Sequence, residues 1–94
     1  MIFAMLIKGF EWDEVNVSHI ELRHRVTPEE VEEVFVEKYA LLKAKYGRYN
    51  ALGYTFSGRL LSIIEHKREG IIRVITARDM TRKEIRYFKR RSGR

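Results

Sequence analysis

The apolar run Ile2-Phe3-Ala4-Met5-Leu6-Ile7 reads as a buried strand that Gly9 ends. Asp13 is placed to cap a helix over residues 14–24, with Val15, Ile20 and Leu22 among its apolar positions. Thr27-Pro28-Glu29-Glu30 opens a second helix. Thr27 caps it, Pro28 stands where no N–H is needed, and Glu30 closes a capping box. Val31, Val34 and Phe35 give that helix one apolar face up to about residue 38. Its acids Glu29, Glu30, Glu32 and Glu33 suit a helix N-terminus and a solvated face.

Beyond that point the period shortens to that of strands. Residues 40–46 form one, ended by Gly47, and residues 49–56 a second, followed by the turn pair Ser57-Gly58. Residues 60–66 make a third, Lys67-Arg68-Glu69-Gly70 a hairpin loop, and residues 71–77 a fourth. Thr81 and Glu84 form a capping box for a last helix, docked through Ile85 and Phe88, with a tail at 90–94 expected to fray. The expectation is an α+β fold in the order β-α-α-β-β-β-β-α, with a small antiparallel sheet flanked by helices. Nothing resembles an interdomain linker, so residues 1–94 are read as one domain.

Charge changes the picture more than composition does. The net charge is +6, but residues 1–35 carry three bases against eight acids, and residues 36–94 sixteen against five. The chain therefore has an acidic front at −5 and a basic back at +11, which points to an anionic partner, nucleic acid first. There is no Cys, which excludes disulfides, thiol nucleophiles and Cys-bound zinc. The first apolar run is too short to span a bilayer and lacks the marks of an export signal. A cytoplasmic protein with no membrane association is expected.

The bases cluster on the second half of the chain. Arg59, Arg73 and Arg78 fall on or beside the central hairpin, and Arg82, Arg86 and Arg90 recur at every fourth position of the last helix. Like charges at that spacing repel, so such a stripe is best explained by phosphates, which guanidinium groups grip in pairs of hydrogen bonds. Tyr46, Tyr49, Tyr54, Tyr87 and Phe88 are interleaved with them. Tyr54, Phe56 and Phe88 are expected in the core, leaving Tyr87 as the ring best placed to meet a ligand. His66 ends a strand beside Lys67 and Arg68, where an imidazole can exchange a proton. His19 and His24, five apart, are expected on different faces of their helix. No spacing suits a metal, and neither metal nor cofactor is expected.

Three stretches resemble the BrnT-type toxins: Phe10-Glu11-Trp12-Asp13-Glu14 followed by Arg23-His24, Val26, Glu29-Glu30 and Val34-Phe35; Gly58-Arg59-Leu60-Leu61; and the run from Ile72 to Glu84. The chain departs from that family's pattern at Asn16, Val17, Arg25 (where the family has Gly) and Pro28. The resemblance implies a RelE-like fold and a metal-independent endoribonuclease that inhibits translation. It also implies a cognate antitoxin with a ribbon-helix-helix domain, operator DNA being met only through the complex of the two. Arg59, His66, Arg73, Arg78 and Tyr87 are the expected catalytic residues, with His24 as the family-matched alternative for proton transfer. Lys67, Arg68, Arg82 and Arg86 are expected to bind RNA. A non-catalytic module that binds nucleic acid or the antitoxin is the alternative.

Overall fold

The computed structural model describes residues 7–92, so the apolar run from Ile2 lies outside it except for Ile7. Eight main elements follow the expected order: β1 (Gly9–Glu11), α1 (Glu14–His24), α2 (Pro28–Val34), β2 (Ala40–Lys43), β3 (Tyr49–Tyr54), β4 (Leu60–Arg68), β5 (Ile71–Asp79) and α3 (Arg82–Ser92). The strands make one sheet in the order β1-β5-β4-β3-β2. β2 to β5 are the antiparallel meander, but β1 runs parallel to β5, pairing Phe10 with Ile72, so the sheet is mixed. Gly9 begins a strand instead of ending one. Three residues are too few to register as a period, although Phe10 and Trp12 do turn inward to pack on the core.

Helices cover both faces. Ile20 of α1 and Val31 and Val34 of α2 close over Ala51, Leu61, Ile63, Val74 and Ala77. On the other face Phe88 of α3 packs on Leu52, with Tyr54 against its ring and Ile85 beside it. The alternation along β3, Ala51 to one side and Leu52 to the other, serves these two layers. At the β4–β5 hairpin Glu69 and Gly70 both have positive φ, 53° and 85°, as a two-residue turn that follows the strand twist requires.

Four details depart from the sequence reading. Val15 and Leu22 are 73% and 82% exposed, and α1 buries Asn16 and Ile20 instead. Its neighbour explains this: β1 pairs with β5 only as far as Arg73, and the amide of Asn16 bonds the Val74 carbonyl just beyond. An apolar residue there would leave a buried carbonyl without a donor. Second, α2 stops at Val34, and Phe35 turns in to meet Phe10 and Tyr39. Third, Phe56 is 66% exposed, because it stands in the turn after β3. Fourth, α3 stays helical past residue 90, as far as Ser92.

The acids of α2 are not merely solvated. Glu30 closes the capping box with Thr27, Glu32 accepts the Trp12 indole N–H at 2.8 Å, and Glu33 accepts the Phe56 N–H at 3.0 Å. The same helix presses on β3 so closely that a Cβ built on Gly53 comes within 2.7 Å of Val34 Cγ1 and 3.1 Å of Tyr39 Cβ. Gly53→Ala is expected to lower stability by about 1–3 kcal/mol through overpacking, read as a lower urea midpoint at unchanged slope.

One core residue is polar for no structural gain. Glu65 is 1% exposed and its Oε1 has no hydrogen-bond partner. Burial raises its pKa above the ordinary 4.5, against the opposing pull of Lys67. The folded state therefore holds a proton that the unfolded chain releases. Glu65's contribution is full below about pH 4.5 and is lost as pH rises through the raised pKa. Glu65→Gln removes this dependence. Urea unfolding of both proteins at pH 5 and pH 8 should show the variant gaining on the parent at the higher pH; a gap that does not change with pH contradicts it.

Candidate active site

The elbow between α1 and α2 is tied to the sheet by one side chain. Arg59, the residue before β4, gives Nε to Asp79 Oδ1 at 2.8 Å and Nη2 to Asp79 Oδ2 at 3.3 Å. Its Nη1 bonds the Arg25 carbonyl at 2.8 Å and Glu30 Oε1 at 3.1 Å, and Nη2 bonds the His24 carbonyl at 3.2 Å. Asp79 and Glu30 keep the guanidinium firmly charged, and Arg59 holds the Asp79 carboxyl below its ordinary range. The clamp grips the last turn of α1, where Arg25 ends the helix at φ 55°, the left-handed conformation that glycine adopts without strain.

That clamp fixes His24. Contrary to the expectation of separate faces, the rings of His19 and His24 meet edge to face with centroids 5.6 Å apart. Their Cα atoms do diverge around the helix, but imidazoles are long enough to close the gap. His19 Nε2 lies 3.0 Å from Thr76 Oγ1 on β5. The pKa of His24 is pushed below 6.5 by partial burial first, then by His19 and the cations Arg23 and Arg78, with Asp79 opposing. Neutral imidazole is thus its form at neutral pH, with a ring nitrogen able to accept a proton.

Arg78 stands on the α3 face of the sheet, opposite Ser62 in β4. Glu84, from the first turn of α3, takes Arg78 Nη1 at 2.8 Å and Nη2 at 3.0 Å and accepts the Ser62 hydroxyl at 3.3 Å. Arg78 in turn lowers the Glu84 pKa. Farther along β5, Arg73 bonds the exposed carboxylates of Asp13 at 2.8 Å and Glu11 at 3.3 Å. It lies directly across from His66 and lines two open depressions. One, of about 500 Å³, runs to His19 and Thr76; the other, of about 400 Å³, to His66 and Arg68. Among the described residues no three His, Asp or Glu side chains gather to hold a metal.

The expected residues therefore separate. Arg73, Arg78, His24 and His66 lie along β5 and its neighbours, joined by His19, which sequence reasoning passed over. Only the helical approach of its ring to His24 would have singled it out. Lys67 is half-buried in β4, while Arg68, Arg82 and Arg86 are exposed. Tyr87 is elsewhere: it lines a groove with β2, three strands from β5 or about 14 Å away, and Arg91 sits 5.5 Å over its ring.

The sheet is of the α+β class and carries arginines along β5, with two touching imidazoles on the helix beside it. The family model described as the ribonuclease toxin BrnT of type II toxin–antitoxin systems matches residues 12–84, and the chain belongs to that family. It is thus a type II ribonuclease toxin, whose system brings an RNA substrate and an antitoxin partner. No curated protein matches the chain.

Arg59→Met is expected to lower stability by about 2 kcal/mol, since it strands the half-buried Glu30 carboxylate and two carbonyls of the α1 end, while exposed Asp79 turns to water. Thermal unfolding of the parent and of Arg73→Met makes the comparison. Arg73 leaves only exposed carboxylates behind, so its loss should cost well under half as much.

Proposed function

We propose that this toxin cleaves RNA without a metal ion, on the strip between Arg73 and Arg78, and that the cleavage inhibits translation. The observation that carries the reading is the His19–His24 pair, one ring kept neutral beside a cation. In the reaction His24 takes the proton of the ribose 2′-OH as that oxygen attacks the adjacent phosphorus. The bond to the 5′-oxygen breaks, and His19 supplies the proton that this leaving oxygen takes up. The products are a 2′,3′-cyclic phosphate and a 5′-hydroxyl. Arg78 faces the charge that gathers on the phosphorane, held in orientation by Glu84. A phosphate need only displace solvated Glu11 and Asp13 to reach Arg73.

His66 and Arg68 extend the strip past Arg73, with Lys67 beside them, and Arg82 and Arg86 extend it on α3. Arg59 acts as a positioning residue for His24, and Tyr87 belongs to a different surface. The family supports a cytoplasmic setting and an antitoxin with a ribbon-helix-helix domain, the complex of the two being what meets operator DNA.

The test is cleavage of RNA by antitoxin-free protein in EDTA. His24→Ala should slow it by about 10²–10⁴-fold. In the parent the acid limb of the pH profile should fall below pH 6.5, since cleavage needs neutral His24 and its pKa is lowered. Arg78→Gln should slow cleavage and move that limb upward, because a cation that disfavours the imidazolium is gone. Products ending in 5′-phosphate contradict the mechanism. Intact RNA with a mobility shift identifies the non-catalytic binder, a reading that the carboxylate partners of all three arginines favour.

A further inference from the structure

Opposite the proposed strip, β2 is the last strand of the sheet among the described residues. Its hydrogen bonds to β3 show which groups it leaves over. Ala44 N–H bonds the Arg48 carbonyl at 2.9 Å, and Lys43 pairs with Tyr49. In an antiparallel ladder the inward groups then fall on Leu42 and Ala40, so Leu41 and Lys43 direct N–H and C=O away from the sheet. Beside this edge lies a groove of about 490 Å³, bounded by residues 37–41 and by Tyr87, Phe88 and Arg91 of α3.

Three features of this place agree. The unpaired backbone alternates donor and acceptor, a row that a polypeptide strand satisfies and an RNA backbone, which offers mainly acceptors, does not. The groove has an apolar floor, with Ala40 of β2 on the α3 face and Phe88 buried beneath. Its charged border is basic: Lys38 and Arg91 line it against Glu37 alone, and Lys43, Lys89 and Arg90 stand exposed nearby. Edge strands left open invite aggregation, and lysine is one means of holding other chains off. Here the same lysines favour an occupant rich in carboxylates.

We propose that β2 and the groove beneath α3 receive an extended, acidic segment of the antitoxin, which adds to the sheet as a strand antiparallel or parallel to β2 and seats apolar side chains between Ala40 and Tyr87. The proposal rests on the antitoxin partner that the family brings and not on the cleavage reading. The surface is separated from His24 and Arg78 by the width of the sheet, so binding here leaves the strip on β5 in place.

Leu41→Pro makes a selective test. The ring removes only the outward N–H and leaves the ladder to β3 intact. With the antitoxin co-produced and repurified as probe, Leu41→Pro should weaken the complex about tenfold. Arg91→Glu should weaken it about threefold or more at low salt and less at high salt. Leu22→Ser, on the exposed side of α1, should bind as the parent does. Hydrogen exchange on the unmodified complex reads the same point without a variant: the amides of Leu41 and Lys43 should slow on antitoxin binding. Their unchanged exchange, or loss of binding in Leu22→Ser with Leu41→Pro unaffected, overturns the proposal. So does protection that arises in the free chain with rising concentration, which marks a second copy, or on addition of RNA alone. Cleavage activity enters none of these readouts, so an inactive toxin still tests the surface.

Discussion

The geometry of this small toxin depends on the guanidinium of Arg59. Three segments distant in sequence, the end of α1, the start of α2 and the end of β5, meet at its nitrogens. The carbonyls to which it donates, those of His24 and Arg25, are among those that a helix C-terminus leaves without partners. Arg59 thus satisfies groups that would otherwise face a partly dry elbow, and it neutralises two carboxylates at the same point. The joint ties the last turn of α1 to the end of β5, beside the Asn16 and His19 contacts farther up the helix. His24 sits in that turn, and its contact with His19 and the field of Arg78 follow from it.

The arginines themselves show a graded engagement. Arg59 is saturated by carboxylates and carbonyls, Arg78 is held by a half-buried glutamate, and Arg73 leans on acids that water also reaches. Ion pairs of the last kind contribute little to stability and exchange readily, whereas those of the first kind are costly to open. This gradient divides the basic half of the chain into a joint, an oriented cation and an available one. It also shows how the −5 front and the +11 back meet: Glu11, Asp13 and Glu30 of the front pair with Arg73 and Arg59 of the back.

Much of this was legible in the residues. Asp13, Thr27 and Pro28 mark helix starts because caps and proline act within one turn, and both helices begin where they indicate. The meander was visible because strand alternation and the turn at Gly70 are also local. What escaped depends on contacts between segments. Asn16 is buried because β1 ends early, a fact outside α1. Glu65 reads as one more surface charge on an alternating strand until its face proves to be the core. Arg59, Arg73 and Arg78 look equivalent as letters, and only their carboxylate partners, 6 to 62 positions of chain away, tell them apart. Arg25 stands where the resemblance has glycine, and it ends α1 in the left-handed conformation that glycine adopts without strain.

The central claim is that RNA lies along β5, between Arg73 and Arg78, with its reactive phosphate at the His19–His24 pair. The direct measurement is an NMR titration of the free toxin with a short RNA whose 2′-hydroxyls are methylated, so that it binds and cannot react. The account predicts the largest shifts at His19, His24, Thr76 and Arg78, smaller ones at His66 and Arg73, and titration of the His24 ring moved to higher pH by the bound phosphate. Shifts confined to β2 and the far end of α3, with the His24 ring titrating as in the free protein, would contradict it.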